Sequence, residues 1–193
     1  MHATTAGTRP AEIDPATMAS AVAGDHAAFA RLVAHYDHRL RVLAWRLLGE
    51  RTAMDDALQE VYVRAFRSLP GFRHGSAPGT WLHRITYNVC VDELRRRTRR
   101  PTSPYDELTT EPDRGPTPDA LVTERTALAT ALALLPVEQR AAVILVDAQG
   151  YDYTAAGEVL GIPAGTVASR LSRARATLRL ALADHDRDNG GQR

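Results

Sequence analysis

The chain has 193 residues, 44% hydrophobic and 24% charged, a balance that suits a soluble globular protein of one ordinary domain or two small ones. Its 24 basic residues are all arginine, and its single cysteine, Cys90, excludes an internal disulfide framework and a cysteine-built zinc site. No apolar run approaches the ~20 residues of a membrane span and the first dozen residues lack the apolar stretch of a secretory signal, so a cytoplasmic protein is expected. The formal net charge of +1 conceals a segmented pattern. Residues 25–100 carry +6, residues 101–125 carry −4, and residues 162–180 hold four arginines and no acid. Two basic stretches around an acidic connector suit a chain that meets a polyanion twice.

Residues 1–13 read as disordered. Asp14-Pro15 then supplies an N-cap and a first helical residue, and Gly24-Asp25 a stop followed by a new N-cap. From Ala27 the apolar spacing is helical (Phe29, Leu32, Val33, Tyr36, Leu40, Leu43, Leu47), with Gly49 as terminator. The next helix is expected to hold Asp55 and Asp56 in its first turn, where acids suit the helix dipole. Its apolar stripe reads Ala57, Leu58, Val61, Ala65, Phe66 and Leu69, and Pro70-Gly71 stops it. Residues 71–79 form a Gly/Pro loop. Thr80 is expected to cap a third long helix running from Trp81 to about Arg97, with Trp81, Leu82, Ile85, Val89 and Leu94 facing the core.

Residues 101–118 hold five prolines and several acids, the composition of an extended linker. At about 3.1 Å per residue it could span roughly 55 Å, so the free protein is expected to behave as two domains on a tether. Helical patterning returns over 119–135, 137–148, 154–160 and 164–183, and no strand pattern is found. The architecture expected is all-α: two small helical domains, 14–100 and 119–183, joined by the flexible linker 101–118.

Residues 153–180 carry the most chemistry. A short helix, Thr154 to Leu160, meets Gly161, which permits the left-handed backbone of a tight turn; Pro163 then starts a second helix. This is the layout of a helix-turn-helix. At about 100° per residue, Val167, Leu171, Ala174, Leu178 and Leu182 share a sector about 80° wide and form a buried stripe. Thr166, Ser169, Arg170, Arg173 and Thr177 share the adjacent sector. Arginine can donate two hydrogen bonds to guanine, and Ser or Thr can reach bases or phosphates, so this strip suits a major-groove reader. Arg175 and Arg179 point elsewhere and are left as phosphate contacts or solvated charges. The alternative for the whole strip is an arginine-rich solvated face.

Four blocks in register resemble the extracytoplasmic-function (ECF) sigma factors of bacterial RNA polymerase. AGDHAAFARLVAHY is similar to the opening helices of that family, and MDDALQEVYVRAF to its acidic Gln-Glu helix. FRHGSAPGTWLHRITYNVCVDELRRRTRR resembles its promoter-melting segment, and LPVEQRAAVILVDAQGYDYTAAGEVLGIPAGTVASRLSRARATLR its C-terminal domain. One departure is Ala155-Ala156-Gly157 where the family usually has Glu-Ile-Ala. Glycine inside a helix costs about 1 kcal/mol against alanine, so Gly157 is expected where the two helices approach closely.

The resemblance implies a dissociable polymerase subunit that recognises and melts promoters. Asp56, Gln59 and Glu60 would dock on the core polymerase clamp, although acids on an exposed face can simply be solvated. Arg73, His74 and Ser76 lie in the loop that would capture a flipped base of the −10 element, and Trp81, Arg84 and Asn88 on the helix that would read it. Trp81 is equally a core candidate. Arg95 and Arg96, with Arg97, Arg99 and Arg100, would clamp phosphates. Asp92 with Arg95 or Arg96 can also be a helix-surface ion pair. Thr166, Ser169, Arg170, Arg173 and Thr177 would read the −35 element. The acidic linker would pass through a positive polymerase channel, or act only as a tether. Promoter DNA, core RNA polymerase and an anti-sigma factor are the implied partners, with no cofactor and no small-molecule substrate.

The remaining chemistry is sparse. His35 and His38 form the closest histidine pair, without a third ligand nearby, so no metal site is expected. Cys90 reads as a small buried residue. There is no Gly-rich phosphate loop and no Gly-x-Ser-x-Gly, so an enzyme is not expected. Two rivals stay open at this point: a stand-alone helix-turn-helix transcriptional regulator, which would bind DNA tightly by itself, and a helical adaptor whose arginines bind acidic proteins.

Overall fold

A computed structural model describes residues 12–72, 75–99 and 127–190, the last seven as helical backbone. Arg73, His74, Arg100, the linker 101–118 and the stretch 1–11 lie outside the described residues. The described residues form helices and connections without a strand. Their order is α1 (Pro15–Val22), α2 (His26–Leu48), α3 (Arg51–Ser68), a 3₁₀ turn (Leu69–Gly71) and α4 (Pro78–Arg99). The second half continues with α5 (residues 127–133), α6 (Val137–Val143) running into a π-helical turn (Ile144–Ala148), α7 (Tyr153–Leu160) and α8 (Ala164–Gly190).

Local chemistry sets the boundaries. The Asp14 carboxylate accepts from Thr17 N at 3.0 Å and Pro15 occupies the first turn of α1. Asp25 accepts from Ala27 N and Ala28 N at 2.8 and 3.2 Å, opening α2, and Gly49 closes it in the left-handed region at φ 71°. Asp152 caps α7 through Ala155 N at 2.8 Å, one residue earlier than the sequence suggests.

Three expectations need correction. Helix α3 starts at Arg51, so Asp55 and Asp56 stand in its second turn, beyond the reach of the first free amides. Helix α4 starts at Pro78, whose fixed φ suits a helix start, and Thr80 is a buried residue inside it rather than its cap. Phe66 is 44% exposed. Val61, Ala65 and Leu69 fill the interior side of this helix, and Phe66, turned about 100° from Ala65, packs edge-on against Phe29 and His26 instead.

The core of the first half is built on Leu32, Leu40, Leu43, Leu47, Leu58, Val61 and Leu82. Each fully buried side chain of this size contributes about 1.5–3 kcal/mol. A polar network pins α2 to α3 at the surface: Tyr62 donates to Asp37, while Arg41 reaches Asp37 at 2.9 Å and Asp55 at 2.8 Å. Burial, then the Asp37 hydrogen bond, push the Tyr62 phenol well above its ordinary range.

The described helices of the two halves pack on each other. Helix α7 packs on α4 and α6 meets α2, so one apolar cluster runs from Leu32 and Leu82 through Tyr151, Ala156 and Val159 to Val167. A smaller cluster, Leu132, Leu135, Val143, Leu171 and Ala174, belongs to the second half alone. Packing follows from burial. The apolar faces of α4 and α7 would otherwise remain in water at about 25 cal/mol per Å².

Candidate nucleic-acid interface

The helix-turn-helix stands as the spacing predicts. Gly161 adopts φ 68° and its N–H returns to Gly157 O, which also accepts from Ile162 N at 3.0 Å. A Cβ on Gly157 would come within 2.6 Å of Ile162 O and 3.5 Å of Ala164 N, so the missing side chain is what lets the turn close. Val167, Leu171 and Ala174 are buried, and Leu178 packs against the cluster that holds Leu171 and Ala174. Beside this stripe Ser169, Arg173 and Thr177 are exposed, while Thr166 and Arg170 are half-buried. The Ser169 hydroxyl donates to Thr166 O at 2.9 Å and the Thr177 hydroxyl to Arg173 O at 3.3 Å, contacts within α8 that a ligand can replace. Among the described residues no carboxylate pairs with Arg170 or Arg173. Arg175 is different: it forks onto Asp147 of the π-helical turn at 2.5 and 3.1 Å, so it is a strut rather than a free charge.

On α4, Arg84 and Asn88 are exposed one turn apart. Trp81 is half-buried, its ring edge-on to Phe72 with centroids 5.2 Å apart. Ser76 is half-buried in the loop before it. At the far end the arginine cluster divides. Arg97 is held by Glu50 at 3.0 Å and Glu93 at 2.9 Å, and Arg96 by Glu93 at 2.5 Å. Burial raises the Glu93 carboxyl, but the Arg97 and Arg96 hydrogen bonds outweigh it and hold the group below its ordinary range. Arg95 and Arg99 are exposed without such a partner among the described residues. Asp92 pairs across to Arg64 of α3 at 3.7 Å, not with Arg95 or Arg96.

Asp56, Gln59 and Glu60 are exposed on α3. Glu60 accepts from Arg64 at 2.7 Å. Asp56 and Glu60 line a groove of about 400 Å³ between α3 and α4, with Asp92 and Arg96 on the opposite wall.

Sequence reasoning missed the polar residues at the junction of the halves. Tyr151 OH lies 2.9 Å from His83 Nδ1, which is also 2.8 Å from Gly79 O. Gln149 donates to Arg39 O at 2.9 Å, and Arg140 donates to Arg46 O and Leu47 O at the end of α2, each at 3.3 Å. Nothing in a helical period distinguishes a histidine aimed at a partner 68 residues away. Cys90 is buried as expected, and burial pushes its thiol up to about 12.

An all-helical chain whose last two helices form a helix-turn-helix with an unpaired basic face, behind a unit with a basic helix end of its own, defines the DNA-binding class of transcription proteins. Residues 32–100 match the Sigma-70 region 2 family and residues 125–178 the Sigma-70, region 4 family. The chain is 42% identical over 174 residues to the ECF RNA polymerase sigma factor SigM of Mycobacterium tuberculosis, covering 89% of this chain and 86% of that one. Among solved structures it is similar to CnrH in complex with the cytosolic domain of CnrY, with TM-score 0.68, 29% identity and coverage of 89% and 97%. It is also similar to the sigma factor RpoE in complex with the anti-sigma factor NepR from Bartonella quintana, with TM-score 0.65, 27% identity and coverage of 80% and 96%. The chain belongs to the ECF sigma factors of RNA polymerase. It is a promoter-specific initiation factor that acts as a dissociable polymerase subunit.

Proposed function

We propose that residues 14–100 dock on the polymerase clamp and read and melt the −10 element, and that residues 119–183 read the −35 element. Asp56, Gln59 and Glu60 supply the clamp contact; Ser76, Trp81, Arg84, Asn88, Arg95 and Arg96, with Arg73 and His74, supply the −10 contacts. Thr166, Ser169, Arg170, Arg173 and Thr177 supply the −35 contacts. The observation that carries this reading is the strip of hydroxyls and unpaired guanidiniums on α8, lying directly beside its buried stripe. Bond making belongs to the polymerase, and the protein works in the cytoplasm beside it. Among the described residues no helix is long and apolar enough to cross a membrane, in keeping with that placement.

An anti-sigma factor is the further partner. Support comes from the exposed apolar side chains Val63, Phe66, Leu128, Leu134 and Leu180, and from the partner-bound state of the relatives. Gel-shift with and without core polymerase tests the whole reading. Weak binding by the chain alone and tight, promoter-selective binding with polymerase is expected. Tight binding of a palindrome by the chain alone would favour the stand-alone regulator.

A further inference from the structure

The closed packing of the two halves has a consequence for the reading surfaces. One groove, of about 720 Å³, is lined by Ser76, Trp81 and Arg84 on one wall and by Gly157, Glu158 and Pro163 on the other. Ser76 of the loop assigned to the −10 element, with Trp81 and Arg84, therefore faces the turn of the helix-turn-helix. Promoter elements one to two helical turns apart are separated by roughly 34 Å per turn, so one groove cannot serve both.

At the centre of the closed junction sits an imidazole. His83 is fully buried, with Nδ1 between Gly79 O and Tyr151 OH, and its Nε2 has no hydrogen-bond partner; Gln149 Oε1 is likewise buried and unpartnered. Resting on the promoter reading above, we infer that the closed packing is an off state locked by neutral His83, and that protonation of His83 releases the two halves from each other. Opening exposes the face of α4 that carries His83, so the proton is accepted where water can solvate it.

The charge that acts on the ring itself, the Arg39 guanidinium of α2, opposes its protonation. Tyr36 of α2 and Glu12 ahead of α1 act on Tyr151, and burial raises the Tyr151 phenol well above its ordinary range, so it stays neutral. The Gly79 carbonyl and the Gln149 side chain favour the charged ring, but burial outweighs them and holds His83 at about 4 against an ordinary 6.5. A base whose pKa is lowered by closure favours closure above its open-state pKa and loses that preference as pH falls. From pH 7.5 to pH 5 the closed-to-open ratio should fall roughly 30-fold.

The test uses the full chain labelled for resonance energy transfer at Arg67→Cys and Ser172→Cys, both exposed positions, with Cys90 shielded by burial. High transfer at pH 7.5 that declines toward pH 5 in this chain, and does not decline when His83→Gln is added, is the expected result. A flat profile in the parent, or the same decline with His83→Gln, overturns the lock. Circular dichroism monitors folding. Should His83→Gln lose helicity, Tyr151→Phe carries the test, because it keeps the histidine and removes only its hydroxyl partner. It should lower the closed-to-open ratio about five-fold at pH 7.5, and an unchanged ratio overturns the lock. In run-off transcription at limiting chain, Tyr151→Phe should raise output, and equal or lower output overturns the off-state assignment. Absence of transcription from every chain overturns the promoter reading instead, while the transfer profile still decides the lock.

Discussion

Gly157 and Ile162 are in backbone contact across the helix-turn-helix: the space for a Cβ on Gly157 ends 2.6 Å away at the Ile162 carbonyl oxygen. Gly157→Ala gains about 1 kcal/mol of helix propensity in α7. The clash is with backbone held by Gly161 and Pro163, which cannot swing aside as a side chain could. Overpacking of this kind costs about 1–3 kcal/mol, so a net loss of stability is expected. Thermal denaturation followed by circular dichroism checks it, and a higher melting temperature would show that the turn relaxes freely.

Stability should also depend on pH through His83. Its pKa is lowered in the packed state, so its contribution is complete above about 6.5 and is lost progressively as pH falls toward 4. The displacement of two to three units corresponds to about 3 kcal/mol at the acid end. Urea titrations at pH 7.5 and 4.5 measure this, with His83→Gln as the reference for the carboxylates that titrate in the same window. The difference between the two proteins should grow toward low pH in favour of His83→Gln.

On α8, Arg170→Ala or Arg173→Ala should lower transcription selectively, by about 1–3 kcal/mol per lost base contact. Arg179→Ala should weaken DNA binding more evenly across sequences and reduce its salt dependence. Transcription from a panel of strong and weak promoters separates the two behaviours. Equal loss at every promoter in all three variants would remove the reading role from this face.

Reversal of charge at Asp56 and Glu60 together should abolish assembly with core polymerase while the helical signal stays intact. Both carboxylates are exposed, and exposed substitutions usually move stability by no more than about ±0.5 kcal/mol. Glu60 also bonds Arg64, a surface pair whose loss is worth at most about 1 kcal/mol. Pull-down on core polymerase beside circular dichroism measures both quantities. Assembly at wild-type affinity would place the clamp contact elsewhere.

Much of this protein was legible along the chain because its devices are local. A cap needs an Asp within three residues of a free amide, as at Asp14 and Asp25. A left-handed turn needs a glycine, as at Gly49 and Gly161. The period of 3.6 marks Val167, Leu171 and Ala174 as interior, and therefore marks the strip of Ser169, Arg170 and Arg173 beside them. Other fates depend on partners far along the chain, which periodicity does not encode. Arg97 looked like one more phosphate contact until Glu50 and Glu93 closed on it, and Arg175 like a solvated charge until Asp147 met it. His83 had the spacing of an ordinary helix residue, and only the docking of α7 on α4 set Tyr151 against it and shut out water. Sequence alone thus determined the helices, several of their caps and stops, and the buried stripe of α8 with the strip beside it, because neighbours a few residues apart supply the physics. Tertiary structure alone decided which charges are spent inside the fold and that the halves close on one another, because burial and pairing follow from apolar faces meeting across the chain.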